Sequence, residues 1–533
     1  MSSEQEGEKV KPEALRKLTF IEFALLGVGL TVGQGITVFV PYSISLAGPS
    51  AMLLNFLCFI FGLILVSCMA EMATIFPYMG GTYLNLRYGL WPKSANFLTW
   101  VTGWSLILLL LNGLGGECLA FSYYLKVLIP LLGPIPDGAL AALLILLLIG
   151  VNILGVKLIG RVQTALLMFM FITLILWGAL SIPHVDITLY SQPFFKSDLS
   201  LFSGLAAFGL IYWAYVGPEL MGTMGGEVKY PITTIPKAMI LTVFIIFLIN
   251  SWTLAIITGL APPAELAEMR LGPIAAATEF AHAGRLAIMA IALSAVIGIH
   301  PPTVISGLAD TSRTISAAGR DGMIPGWFAK LHPRFKTPKN ALLIVGLALM
   351  AVVLPNLIEI LGATGTIASA IGLIVSFLAV LSLKLRLPDL KRPFRTPLWA
   401  PIVGIPLSVL IIIGMGWYIA REAATVMELS FEMGLILTVA LGMLFIILGI
   451  IVYWLTIRKS MEEPPSAEKV KAEILEVIEP KGEEEWTELH APLEAKGEDL
   501  RKINRQYRIG MAICIAGTIA DLIFMGYVCF LGS

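Results

Sequence analysis

Apolar runs of about 20 residues recur along the whole of this 533-residue chain, the length a helix needs to cross a ~30 Å hydrocarbon core. Backbone N–H and C=O groups find no water in lipid, so a chain of this kind must satisfy them within its own helices. Only 14% of the residues are charged and 57% are hydrophobic, whereas soluble domains carry about 25% charged residues. These runs predict an all-α polytopic membrane protein whose principal solvent is the lipid bilayer. Spans are expected at 20–46, 50–75, 94–128, 138–156, 162–183, 201–222, 237–260, 285–318, 340–355, 358–384, 398–420, 433–457 and 509–531.

Charge orients those spans. With the N-terminus inside, the inner loops hold Arg87 and Lys93, Lys157 and Arg161, Lys229 and Lys237, the cluster from Arg320 to Lys339, and the cluster from Lys384 to Arg395. The outer loops hold little beyond Lys196, Arg270, Arg285 and Arg421. Lysine and arginine favour the inner side, so residues 1–19 and the charged segment 458–508 are expected in the cytoplasm of a multi-pass plasma-membrane protein. Residues 509–533 form the last helix. The hydrophilic start MSSEQEGEKVKPEALRK does not read as a cleaved signal peptide. In the charged segment, AEKVKAEILEVIE has helix-like spacing.

Composition also removes function classes. The net charge is zero, which gives no reason to expect nucleic acid as a partner. Cys58, Cys68, Cys118, Cys514 and Cys529 are scattered through apolar runs and form no disulfide framework. No metal cluster, cofactor motif or nucleophile–base set stands out, so an enzyme is not expected.

Two spans contain residues that helices avoid. The first carries GVGLTVGQGITVFVP and the sixth YWAYVGPELMG, each with glycine and proline near mid-span. Paired interruptions in corresponding positions of two halves point to an inverted-repeat transporter with its site at the midplane. An unwound turn frees backbone groups for a ligand. N–H groups at Gly33, Gln34 and Gly35 suit a carboxylate, and carbonyls at the two breaks suit an ammonium. A zwitterion satisfies both sets, so the expected substrate is an α-amino acid.

The motifs GQGITVFVP at 33–41, WAYVGPELMGTMGGEVKYPITTIPKA from Trp213, SRTISAAGRDGMIPGWFAKLHPRFKTP from Ser312 and AEMATIFPYMGGTY from Ala70 resemble those of the amino acid–polyamine–organocation (APC) permeases. Gln34 and Thr37 depart from that family's usual small residue and aromatic. The resemblance implies a LeuT-like inverted repeat of five plus five helices, at 20–183 and 201–384, followed by helices at 398–457 and a thirteenth. It implies transport by alternating access, with Gly33, Gln34 and Gly35 binding the substrate carboxylate. Carbonyls of Thr31, Trp213 and Val216 would meet the amine beside Ile36, Ala214 and Gly217, with the Trp213 ring as a gate. Thr102, Gly103, Ile107 and Gly307 would line the side-chain pocket. None of these is acidic, which favours a neutral amino acid.

The coupling ion is left open between proton and sodium. Glu219, just past the second break, is the proton-coupling candidate. A lysine that many family members carry seven residues after a glutamine matching Gln163 is here Met170, so a sodium ion held near Gly29, Val32 and Ser306 is the other candidate. Of the remaining charges at depth, Glu227 is expected to pair with Lys229 and Asp310 with Arg313, while His300 is expected at the outer rim. An exchanger of amino acids or polyamines is the alternative to an ion-coupled symporter, and a channel is a more distant rival.

Overall fold

In the computed structural model, residues 16–77, 80–191, 194–196, 199–268, 273–320, 322–354, 358–390, 392–426, 428–454 and 494–531 are described. They are helical and contain no strand; one isolated bridge joins Leu18 to Val228. Eight helices among them are long and apolar enough to cross a membrane, and Phe20–Thr31, Asp137–Ile153 and Lys339–Val353 are shorter apolar helices. The protein is a polytopic α-helical membrane protein. The N-terminal residues 1–15 and most of the 458–508 segment, including AEKVKAEILEVIE, lie outside the described residues.

The first span is interrupted where its glycines cluster. Helix α1 (Phe20–Thr31) opens with a capping box between Thr19 and Glu22 and stops at Val32, whose backbone is extended. The chain resumes as a π-turn at Gly35–Phe39 and continues as α2 (Val40–Ala47). Pro41, in the first turn of α2, has no N–H to donate to the preceding turn, and that turn is the π-turn. The second membrane helix is α3 (Ala51–Ile75), followed by the short α4 (Gly81–Gly89). Next come α5 (Pro92–Leu128), α6 (Asp137–Ile153) and α7 (Val156–Ser181).

The sixth span is interrupted in the same way. Helix α8 (Leu201–Trp213) ends in a turn, and Gly217 takes φ +142°, a conformation that side chains rarely adopt. A 3₁₀ segment at Pro218–Thr223 follows. Helix α9 (Pro231–Thr258) then runs back through the bundle. The short α10 (Pro263–Glu268) and α11 (Pro273–Phe280) precede α12 (Arg285–Leu293) and α13 (His300–Arg320). Pro301 and Pro302 have no N–H to donate to the preceding turn, and that turn widens to a π-helix at Ser294–Ile299. Helices α14 (Lys339–Val353), α15 (Ile358–Arg386), α16 (Trp399–Val426) and α17 (Phe431–Val452) complete this part of the bundle. The last helix, α18 (Gly497–Leu531), starts at Gly497 rather than at 509, so the end of the charged segment is helical.

The interrupted spans lie side by side at the centre. A Cβ added to Gly35 would stand 2.6 Å from the Ala214 Cα, and one added to Gly217 would stand 3.1 Å from the Leu30 carbonyl. Only glycine permits that approach. Helix α1 packs on α7, α9 and α13, α5 packs on α6, α13 and α15, and α18 lies along α9.

At the end where α1 begins, the chain is laced shut. Leu18 N–H donates to the Glu227 carbonyl at 2.9 Å, and Lys229 N–H donates back to the Leu18 carbonyl at 2.9 Å. Arg313 forks onto Glu227 at 2.8 and 3.0 Å, both side chains buried. The expected pairings differ here: Glu227 takes Arg313 rather than Lys229, and Asp310 accepts the Thr223 hydroxyl. The planar guanidinium matches a carboxylate with two parallel bonds, which a lysine does not.

Candidate functional site

Between the two interruptions lies a cavity of about 500 Å³, its open mouth included, walled by α1, α5, α8 and α13. Thr31, Gly35, Trp213, Val216, Gly217 and Gly307 line it. Trp213 stands at its edge, its ring 5.8 Å from that of Phe39 in a T-shaped pair. The remaining lining is mostly apolar: Leu30, Leu109, Leu110, Leu114 and Leu220.

Gly33 and Gln34 are engaged by a residue absent from the expectations. Gln34 N–H donates to the Glu117 carboxylate at 2.5 Å, and Glu117 also lines the cavity. A Cβ on Gly33 would collide with that carboxylate, and one on Gly116 would collide with the Gln34 side chain. The other Glu117 oxygen lies 2.7 Å from His300 Nδ1. His300 is fully buried, its ring against that of Tyr124. The cavity therefore has an acidic wall, and a lining without acidic groups is not what the fold provides. Glu117 was visible in the sequence as the one charge in the stretch 94–125, and an ionisable residue at membrane depth marks a functional position.

The second interruption carries its own carboxylate. Glu219 accepts the Gly217 N–H at 2.8 Å and faces a neighbouring cavity lined by Thr102, Met69, Leu106, Gly372 and Ser376. Gly103 and Ile107 stand outside both linings, and Ile107 is 38% exposed. The α5 residues that do reach the central cavity lie further along the helix, from Leu109 to Glu117. Ile36 is buried in the core, and Ala214 packs against Gly35.

Two of the residues expected to hold sodium, Val32 and Ser306, accept hydrogen bonds from side chains. The Val32 carbonyl accepts the Thr303 hydroxyl at 2.8 Å. Gln163 Nε2 donates to the Ser306 hydroxyl at 2.9 Å and to the Pro302 carbonyl at 3.1 Å. A Cβ on Gly29 would run into the Gln163 amide, so that amide fills the space between α1 and α13. Met170 lies two turns away, against Gly298.

The helical breaks and the cavity between them fit the comparison with known proteins. The Amino acid permease profile matches residues 18–461. The chain belongs to the amino acid permease family, within the APC superfamily. This permease is 24% identical over 466 residues to the branched-chain amino acid permease BcaP of Bacillus subtilis (strain 168), covering 83% of this chain and 93% of that one. It is 26% identical over 413 residues to a methylthioribose transporter of the same organism, covering 73% and 86%. A probable polyamine transporter of Arabidopsis thaliana is 26% identical over 384 residues, covering 69% and 73%. Helix α18 lies beyond the matched residues.

Proposed function

We propose that this permease is a secondary transporter that carries neutral, apolar α-amino acids by alternating access, coupled to protons. The carrying observation is the hydrogen bond from Gln34 N–H to the Glu117 carboxylate. Backbone amides freed by the break in α1 bind a carboxylate, and the group now seated there belongs to the chain itself. An amino acid entering the cavity would bring a second carboxylate to the same notch, and two like charges at that distance repel strongly in low dielectric. Protonation of Glu117, with His300 beside it, would remove the repulsion and free the N–H group for substrate. One proton is then taken up for each amino acid bound. Glu219 caps the second break in the same manner and is the second coupling carboxylate.

The apolar lining supports a substrate with a hydrocarbon side chain, in keeping with the name of the branched-chain relative. The engagement of Val32 and Ser306 by Thr303 and Gln163 argues against sodium at Gly29, Val32 and Ser306. We extend the reading to architecture: two inverted five-helix repeats at 20–183 and 201–384, thirteen spans in all, and a cytoplasmic N-terminus in the plasma membrane. A second reading, exchange of amino acids or polyamines, is favoured by one observation, the acidic Glu117 on the cavity wall, which would attract a cationic amine.

Uptake by proteoliposomes distinguishes these readings. Leucine should accumulate in empty vesicles under an inward proton gradient, with choline in place of sodium. Uptake only into vesicles preloaded with amino acid or putrescine would establish exchange instead. Absence of leucine binding or transport under every condition would remove the amino acid assignment.

A further inference from the structure

Helix α5 carries a polar residue at every third position from Lys93 through Asn96, Thr99 and Thr102 to Ser105, none of which lines the central cavity. Residues three apart on a helix are neighbours, about 5–6 Å between their Cβ atoms. The series runs inward: Lys93 is exposed, Asn96 is half-buried, and Thr99, Thr102 and Ser105 are each 1% exposed. Trp100 belongs to one apolar cluster with Tyr83 and with Ala317, a turn past Arg313. The series therefore starts at the end of the bundle where α1 begins.

Buried hydroxyls on helices commonly donate to their own backbone, as Thr253 does to the Ile249 carbonyl and Ser122 to that of Cys118, both at 3.0 Å. The hydroxyls of Thr99, Thr102 and Ser105 have no hydrogen-bond partner among the described residues. A buried polar group without a protein partner is costly and marks a place for water. Thr102 lines the second cavity together with Glu219, Met69 and Ser376, and two hydroxyls with a carboxyl group supply the polar partners that a buried water needs. The cavity measures about 370 Å³ with its mouth, and a water centre can move through about 20 Å³ of it. That is room for one water but not for an amino acid. Leu109 and Leu220 line both this cavity and the central one, so one layer of apolar side chains parts this water from the substrate space. Asp310 and Tyr212, the ionisable groups whose fields reach Glu219 among the described residues, stand outside the lining.

We propose that this cavity is a water site, and that Thr102 and Thr99 pass protons between Glu219 and the aqueous phase at Asn96. A water about 2.8 Å from each of two hydroxyl oxygens spans about 5.6 Å, the separation of neighbours in the series. A hydroxyl both accepts and donates, so each oxygen in the row takes a proton from one side and gives up its own to the other. The Glu219 acid becomes a carboxylate, a water at Asn96 becomes hydronium, and no bond other than O–H is made or broken. The same row run in reverse reloads Glu219. For its uptake arm this inference rests on the proton coupling proposed above; its labelling arm does not.

The test uses the full chain, first under radiolytic labelling, in which hydroxyl radicals from bound water oxidise the side chains beside it. Met69 on the cavity wall is 4% exposed, and Met170, packed against Gly298, is 0% exposed. Met69 should be labelled at least about fivefold faster than Met170. Gly372→Ala places a methyl 3.6 Å from Thr102 Cγ2, an ordinary contact. By displacing the water it should bring the two labelling rates within about twofold of each other. Equal labelling of Met69 and Met170 in the wild type overturns the proposal, whether or not leucine is carried. In proteoliposomes, Thr102→Val should lower proton-driven leucine uptake about tenfold and leave leucine-for-leucine exchange within about twofold, because exchange requires no proton to leave Glu219. Thr102→Ser keeps a hydroxyl and should restore more than about half of the uptake rate. A Thr102→Val variant at the wild-type uptake rate, or one slowed equally in both modes, overturns the proposal. A wild type without proton-driven uptake would remove the coupling reading, and the labelling of Met69 would still decide the water site.

Discussion

Each break in the bundle is closed by one carboxylate on one backbone N–H: Glu117 on Gln34 and Glu219 on Gly217. A neutral amide side chain can still accept from those N–H groups but has no proton to gain or lose. Glu117→Gln and Glu219→Gln are each expected to flatten the pH dependence of leucine uptake, while leucine-for-leucine exchange continues. A pH profile matching wild type in either variant would take that residue out of the coupling. Gly35 governs a different step, the contact of the two breaks. A side chain there would enter the space of the Ala214 backbone, and overpacking of that kind costs about 1–3 kcal/mol. Gly35→Val is therefore expected to weaken leucine binding about 10- to 100-fold, measurable by a binding assay on purified protein. A normal dissociation constant would mean that the cavity does not lie where these glycines meet.

At the scale of elements, the end where α1 begins is held by one buried ion pair between α13 and the loop after the sixth span. Removing one member strands the other charge, at a cost of about 3–5 kcal/mol, whereas removing both is often nearly neutral. Arg313→Met alone should lower thermal stability markedly, and Arg313→Met with Glu227→Leu should recover most of the loss. A double variant no more stable than Arg313→Met would show that the pair does not act as a unit. This pair also marks the limit of what the sequence makes legible. The two interruptions were readable because glycine and proline act on their own neighbours, so their consequence is local. Arg313 and Glu227 were both visible as charges at depth, but their partnership depends on how α13 is rotated against a loop 86 residues away. The same holds for Glu117, which joins Gln34 and His300 from three separate spans. A uniformly apolar helix such as α5 has little periodicity to fix its rotation, and for that reason Gly103 and Ile107 were expected on a wall that is built from Leu109 to Glu117.

For the molecule as a whole, the question of which ion drives transport turns on the space between α1 and α13. A sodium ion there would need bare oxygen ligands. In the gap stands the Gln163 amide, whose Nε2 donates to the Ser306 hydroxyl and the Pro302 carbonyl, while the Thr303 hydroxyl donates to the Val32 carbonyl. An amide can bridge two helices by donating hydrogen bonds without bringing a charge, and here it ties α1's neighbour α7 to α13. Two results follow. Replacing sodium by choline on both sides of the membrane should leave proton-driven leucine uptake within about twofold, since no ligand site is emptied. Gln163→Ala should remove the tie and lower the maximal rate about tenfold or more, and added sodium should not restore it, because the Val32 carbonyl remains bonded to Thr303. A wild-type protein that stops on sodium removal, or a Gln163→Ala variant rescued by sodium, would mean that a cation belongs in this gap and that the amide yields to it during the cycle.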